Sequence, residues 1–139
     1  LGAGKKLGLI PKIHADEIEP YGGAELAAKV GAISAEHLLK ASDDGIKAMA
    51  EAGTIACLLP ATALFLREEA AQGRKMIDEG VPVAISTDCN PGSSPTTSMP
   101  LVMNLACISM RLTPAEALTA ATYNAACAIQ MENNTGSLE

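Results

Sequence analysis

A pattern of short apolar segments followed by helical segments repeats four times along the chain. The apolar segments are predicted strands at about residues 8–14, 32–36, 54–59 and 81–86. Strands that are apolar on both faces and alternate with helices are typical of a parallel sheet covered by helices on both sides. The pattern therefore predicts an α/β protein, with either a small open sheet or four consecutive units of an eight-unit barrel.

Helix signals fill the intervals between the predicted strands. Ser42 is predicted to cap a helix that ends at Gly53, and the segment Thr113-Pro114-Ala115-Glu116 is predicted to be a capping box that starts another. Further helices are expected at about residues 23–30, 68–78, 99–110 and 124–131. The helix at 99–110 is apolar on most sides, so we expect it to be buried. The first strand should also be buried, because it contains a short apolar run of Leu9, Ile10 and Ile13.

Polar residues that can take part in catalysis or metal binding lie at the C-terminal end of every predicted strand. They are His14 with Glu17, then His37, Thr62 and Asp88. Active sites of (β/α)8 barrels are built from the carboxyl ends of the strands. This placement favours part of a barrel over a small open sheet. A complete barrel typically needs about 250 residues, so a chain of 139 residues has room for half of one.

His14 and Asp88 are candidate metal ligands, since imidazole nitrogen and carboxylate oxygen both bind zinc and iron. Glu17 is a candidate to take a proton from an activated water, and His37 to polarise a carbonyl or stabilise an oxyanion. Alternatively, His14 makes an ordinary hydrogen bond at a strand end and the neighbouring carboxylates are solvated. The chain has two histidines, so one copy cannot build a site with three. His14 and Asp88 are also fewer than the three protein ligands of a usual catalytic zinc site.

The segment at residues 88–95 contains Gly and Pro together with amide and hydroxyl side chains. Such a loop can bind a substrate carboxylate through backbone donors, or it can be a plain turn that leads into the next helix. Thr62 and the cysteines are the weakest candidates for a functional role, since packing explains them equally well.

Composition argues against several classes of function. The chain has three aromatic residues and a net charge of −6, which is unfavourable for binding nucleic acid. It has no apolar run long enough to span a membrane. No C-x-x-C pair occurs, so zinc-ribbon and thioredoxin-like sites are not expected. We expect reduced thiols in a cytoplasmic protein, with a disulfide framework as the alternative. The cysteines are Cys57, Cys89, Cys107 and Cys127.

The chain resembles the imidazolonepropionase family of the amidohydrolase superfamily. Three motifs carry the resemblance: His14-Ala15-Asp16-Glu17, Gly22-Gly23-Ala24-Glu25-Leu26-Ala27 and Ser86-Thr87-Asp88-x-Asn90-Pro91-Gly92-Ser93. The resemblance implies an enzyme that hydrolyses the ring amide of 4-imidazolone-5-propionate to N-formimino-L-glutamate in histidine degradation. It also implies a (β/α)8 barrel with one zinc or iron ion.

Carried over by motif, the resemblance implies that His14 and Asp88 are metal ligands on the fifth and eighth barrel strands. It implies that Glu17 and His37 contact the substrate and that both act in catalysis, as does Asp88, which can pass a proton to the leaving nitrogen. The residues implied to hold the substrate in the last loop are Asn90, Gly92 and Ser93.

Residues 1–139 are thus predicted to be the C-terminal half of the barrel, strands 5–8 with their helices. The N-terminal half, with the family's His-x-His motif, and the small β-rich domain are expected to be absent. We therefore expect this chain to be inactive by itself, and to form a homo-oligomer through unpaired strand edges. Its expected ligand is a small-molecule substrate, with neither nucleic acid nor membrane as a partner. Two alternatives stay open: another cyclic amidase or deaminase of the superfamily, and an inert half-barrel that self-associates.

Overall fold

Four parallel strands form a single sheet in which spatial order follows chain order. The structure, a computed structural model, describes residues 1–138. Glu139, the last residue of the predicted domain, lies outside the described residues. The strands are β1 (Lys12–Ala15), β2 (Ser34–His37), β3 (Ile55–Leu58) and β4 (Val83–Ile85). The helices are α1 (Gly2–Lys6), α2 (Gly23–Val30), α3 (Asp43–Ala52), α4 (Pro60–Leu66), α5 (Gly73–Asp78), α6 (Met99–Ser109), α7 (Pro114–Ala121) and α8 (Tyr123–Ala128).

The predicted α/β architecture with a parallel sheet is confirmed. Each strand pairs with the next one in the sequence, in parallel register. Successive neighbours of this kind occur in (β/α)8 barrels, whereas doubly wound sheets reverse their strand order at a switch point. The register aligns the carboxyl ends of the strands at one edge of the sheet, with Ala15 opposite His37. The half-barrel itself stays a prediction.

The core covers both faces of the sheet, and β3 shows how. Side chains alternate between the two faces of a strand. Ala56 and Leu58 belong to the larger hydrophobic cluster, together with residues of the helices around the sheet. Ile55 belongs to a smaller cluster with Ala84 and Ala128. Ala128 is the last residue of α8, which packs on the other face of the sheet. The sheet is therefore buried on two sides in its centre, as expected for parallel strands.

The first strand is shorter and more exposed than the sequence analysis predicted. Leu9 is 65% exposed and Ile10 is 49% exposed, and both precede β1. Pro11 lies immediately before the strand and has no N–H group to donate to a ladder, so proline is tolerated at a strand start. Its carbonyl still accepts the N–H of Ile33. The expectation of a buried apolar run is therefore wrong for Leu9 and Ile10.

The predicted helix at residues 68–78 is only partly correct. A separate helix, α4, begins directly after β3, and α5 covers only the end of the predicted range. Pro60 ends the strand as expected, but it also occupies the first turn of α4, where its fixed φ favours a helix. Arg67, with a φ of 59°, ends α4 in the left-handed conformation.

The expectation that α6 is buried is wrong for much of its surface. Val102 and Ala106 are its buried residues, while Ile108 is 78% exposed. By contrast, the predicted caps are confirmed. Ser42 accepts the N–H of Gly45 at the start of α3, and both bonds of the capping box are present at the start of α7. Every helix in the described part of the chain is too short or too polar to cross a membrane.

Candidate metal centre

The ends of β1 and β2 bring two histidines into contact. His14 lies on β1 and His37 is the last residue of the adjacent β2. Their ring centroids are 4.0 Å apart, with the ring planes tilted by 37°. His37 and Leu38 have φ values of 71° and 59°, so the backbone leaves the extended conformation where the strand ends. Positive φ is uncommon for residues other than glycine and is often found at functional sites.

The Glu17 carboxylate approaches both imidazoles. Its Oε2 is 2.7 Å from His14 Nε2, and its Oε1 is 3.4 Å from His37 Nδ1. The three side chains can present one ligand atom each within 4.8 Å of one another. Glu17 therefore connects a residue of β1 to a residue of β2 across the carboxyl edge of the sheet.

The two histidines differ sharply in environment. The side chain of His14 is 65% exposed, whereas that of His37 is 4% exposed. Burial is the largest cause that lowers the pKa of His37 below its ordinary value, and the adjacent His14 is the second. The carboxylates that oppose this decrease in pKa are those of Glu17, Asp88 and Glu36.

His37 Nδ1 is a buried nitrogen without a hydrogen-bond partner among the described residues. The contact of His37 Nδ1 with Glu17 Oε1, at 3.4 Å, does not have the geometry of a hydrogen bond. Leaving a buried polar group unpaired costs about 1–3 kcal/mol. The described residues therefore leave this nitrogen with an unused capacity for a hydrogen bond.

The cluster fits a divalent metal ion by the chemistry of its donors. An imidazole nitrogen and carboxylate oxygens, close together at the end of parallel strands, are the ligand types of catalytic zinc sites. His14 is exposed, so an ion can reach it. The arrangement thus combines an accessible imidazole, an adjacent carboxylate and a buried imidazole.

Asp88 is not a member of this three-residue cluster within the described part of the chain. It follows β4 with a φ of 49°. Its Oδ2 accepts a hydrogen bond of 2.8 Å from the hydroxyl of Thr62, which is buried in the first turn of α4. Its carboxylate is nevertheless close enough to raise the pKa of His37 against the effect of burial. The role of Asp88 as a metal ligand stays a prediction.

Thr62 is recognisable from the sequence as a residue at a strand end, but its partner Asp88 is not. The available signal was the order of the strands. The carboxyl ends of β3 and β4 adjoin in a parallel sheet, so a hydroxyl after one and a carboxylate after the other are candidates for a hydrogen bond.

The loop after β4 is organised by the side chain of Asn90. Its amide nitrogen donates to the Asp88 carbonyl at 2.7 Å and to the Ser93 hydroxyl at 3.1 Å. Its Oδ1 accepts the backbone N–H groups of Gly92 at 2.9 Å and Ser93 at 2.8 Å. Two backbone donors of the predicted carboxylate site are therefore occupied within the loop. The substrate contacts of Asn90, Gly92 and Ser93 stay predictions.

Comparison with known proteins bears out the resemblance carried by the three motifs. The chain is 71% identical over 139 residues to an imidazolonepropionase from Brevibacillus brevis, a match that covers 100% of this chain and 33% of the relative. It is 70% identical over 139 residues to an imidazolonepropionase from Geobacillus thermodenitrificans, with the same coverage of 100% and 33%. The chain therefore spans about a third of the length of these curated relatives.

A solved structure extends the comparison to the fold. A zinc-bound adenosine deaminase from Xanthomonas campestris aligns with a TM-score of 0.82 and 20% sequence identity, over 99% of this chain and 36% of that chain. Identity this low shows a common fold alone. The model of the amidohydrolase family matches residues 9–139. Since this match covers nearly the whole sequence, the chain belongs to the amidohydrolase family.

Proposed function

We propose that this chain forms part of the catalytic centre of an imidazolonepropionase. The enzyme opens the ring amide of 4-imidazolone-5-propionate and yields N-formimino-L-glutamate. The observation that carries the proposal is the convergence of His14, Glu17 and His37 within 4.8 Å at the carboxyl edge of a parallel sheet. The high identity to imidazolonepropionases over the whole of this chain supports the choice of substrate.

The sheet is proposed to be strands five to eight of a (β/α)8 barrel, with residues 1–139 as a partial barrel domain. Two observations support this assignment. The strands neighbour one another in chain order. The cluster and Asp88 both follow the carboxyl ends of strands, which is where barrel active sites lie.

One zinc or iron ion is the proposed cofactor, with His14 and Asp88 as its ligands from this chain. A divalent cation supplies Lewis acidity, which makes water a stronger nucleophile near neutral pH. The exposed His14 imidazole is accessible to such an ion. Thr62 donates to only one oxygen of Asp88, Oδ2.

Glu17 and Asp88 carry the proton transfers of the proposed hydrolysis, and His37 stabilises the developing charge. Glu17 takes a proton from the water whose oxygen bonds to the ring carbonyl carbon. His37 donates a hydrogen bond to the carbonyl oxygen as negative charge develops there. Asp88 accepts the second proton of that water and delivers it to the ring nitrogen as the carbon–nitrogen bond breaks, and the proton on Glu17 passes to solvent. One water is consumed, and the product gains a carboxylate and an N–H group.

The experiment that tests the proposal is NMR mapping of ligand contacts on the zinc-loaded chain. N-formimino-L-glutamate is expected to shift the resonances of Glu17, His37 and the loop at residues 88–95. Adenosine, the ligand class of the structural neighbour, is expected to leave them unchanged. Shifts with adenosine alone would overturn the proposal in favour of a deaminase. No shift with either ligand would overturn it in favour of an inert folded piece.

A further inference from the structure

We infer that Thr62 is a positioning residue that orients the Asp88 carboxylate within the centre, an inference that rests on the proposed metal role of Asp88. The Thr62 hydroxyl donates to Asp88 Oδ2 at 2.8 Å. The two residues belong to different strand–helix units, since Thr62 follows β3 and Asp88 follows β4. The hydrogen bond therefore links neighbouring units at the edge of the sheet where the proposed site lies.

Thr62 is a rigid donor. Its side chain is fully buried, and a β-branched residue in a helix has few χ1 rotamers. It lies in the first turn of α4, whose start is held by Pro60. Ala61 and Ala63 on either side are buried as well. The hydroxyl therefore has a fixed position, and the carboxylate oxygen that it binds is fixed with it.

The backbone of Asp88 is held independently of its side chain. The residue is in the left-handed region, with a φ of 49°, and its carbonyl accepts the Asn90 side-chain amide at 2.7 Å. With the backbone fixed by Asn90 and one carboxylate oxygen fixed by Thr62, the other oxygen points in a defined direction. A ligand whose second oxygen is hydrogen-bonded in this way loses less freedom on binding a metal.

A buried threonine does not need a carboxylate partner to satisfy its hydroxyl. Thr54 is equally buried and donates to the backbone carbonyl of Ala32 at 3.0 Å. Thr54 precedes β3, whereas Thr62 follows it, so the two threonines lie beyond opposite ends of the same strand. Thr54 is therefore a matched control, with the same chemistry and burial away from the proposed centre.

The test measures zinc dissociation constants for this chain and its variants by calorimetry. Thr62→Val removes the hydroxyl with little change of shape and is expected to weaken zinc binding about 10–100-fold, as loss of such outer partners does. Thr62→Ser keeps the hydroxyl and is expected to bind within a few-fold of the unaltered chain. Thr54→Val is expected to leave zinc affinity unchanged. Thr62→Ala against Thr62→Ser repeats the comparison if the valine variant does not fold.

Asp88→Asn separates failure of this inference from failure of the proposed function. Zinc binding that weakens with Asp88→Asn but not with Thr62→Val would overturn the positioning role and leave the proposed metal role of Asp88 intact. Zinc binding that does not depend on Asp88, or that is absent, would overturn both. Equal weakening by Thr62→Val and Thr54→Val would also overturn the inference, because a general loss of stability would then explain it.

Discussion

Asp16 is the residue that joins the segments around the histidine cluster. Its Oδ1 accepts the backbone N–H groups of Tyr21 at 3.1 Å and Gly23 at 2.9 Å, and its Oδ2 accepts that of Ala24 at 2.8 Å. Its carbonyl accepts the N–H of Lys40 at 2.8 Å. Asp16 therefore ties the end of β1 to the start of α2 and to the loop after β2. This network holds the neighbouring residues His14 and Glu17 close to His37.

Replacing Asp16 with alanine is expected to destabilise the fold by about 2 kcal/mol. The substitution removes an N-terminal acceptor of a helix and leaves the buried N–H group of Ala24 without this partner. Urea unfolding followed by circular dichroism measures the change. Asp43→Ala is the control, because the Asp43 side chain is 65% exposed at the start of α3. Equal losses for the two variants would contradict the role assigned to Asp16.

The sequence predicts some of the contacts around the cluster and not others. His14 and His37 are expected to meet, because the ends of adjacent parallel strands adjoin. The network of Asp16 was not predicted, since three of its four partners lie several residues away in a loop and a helix start. Residue type alone does not reveal the left-handed conformations of Asp16 and His37.

At the scale of elements, α5 and α7 are joined by one ion pair that also completes a helix cap. Both oxygens of Glu116 accept from the Arg74 guanidinium at 2.9 Å, and Oε2 accepts the Thr113 N–H at 2.8 Å. Arg74 first, and then Thr113, lowers the pKa of Glu116 to about 2. The capping box was predicted from local sequence. Arg74 was not, because it lies in a different helix, far away along the chain.

The low pKa of Glu116 predicts a specific dependence of stability on pH. The folded state favours the ionised carboxylate, so the contribution is complete above the ordinary pKa of 4.5 and is lost as pH falls toward about 2. Glu116→Gln is expected to lower the thermal midpoint at pH 7 and to flatten its decline in this acid window. Glu79→Gln, at an exposed position after α5, is the control. Parallel pH profiles for Glu116→Gln and the unaltered chain would contradict the assignment.

Close packing of α2 on α3 predicts whether a substitution of Gly45 raises or lowers the stability of the fold. A Cβ added at Gly45 would lie 2.8 Å from the Cβ of Ala24. Alanine in a helix is favoured over glycine by about 0.5–1 kcal/mol, but overpacking typically costs about 1–3 kcal/mol. Gly45→Ala is therefore expected to lower stability in urea unfolding. Adding Ala24→Gly should recover part of the loss, and a Gly45→Ala variant that is more stable than the unaltered chain would rule out the tight contact.

At the scale of the molecule, the sheet has two edges, at β1 and β4, in the described residues. The β4 edge is partly covered, because Asn124 donates to the carbonyl of Val83 at 2.8 Å. Exposed strand edges favour pairing with another chain. The net charge of −6 opposes that association at low salt.

The chain is therefore expected to self-associate, more strongly at high salt. Light scattering should give masses above the 14.2 kDa of one chain, increasing with protein concentration. Raising the salt concentration should increase the mass further, because it screens repulsion between like charges. A constant mass of 14.2 kDa at all concentrations would show that the edges do not pair.

The alternation of apolar strands and helices was sufficient to predict the parallel α/β class and the positions of most elements. It was not sufficient to predict what covers each apolar side chain. Leu9, Ile10 and Ile108 were expected to be buried and are exposed. Apolar periodicity identifies the residues that suit a core, whereas burial depends on which other segments pack against them.

The central claim is that the carboxyl edge of this sheet forms part of a metal centre, and zinc per chain tests it most directly. Elemental analysis of the purified chain, after equilibration with zinc and removal of the excess, is expected to give about one zinc per chain. His14→Ala should abolish it, because His14 is the exposed imidazole of the cluster. A ratio near zero for the unaltered chain, or a ratio that does not depend on His14, would contradict the account.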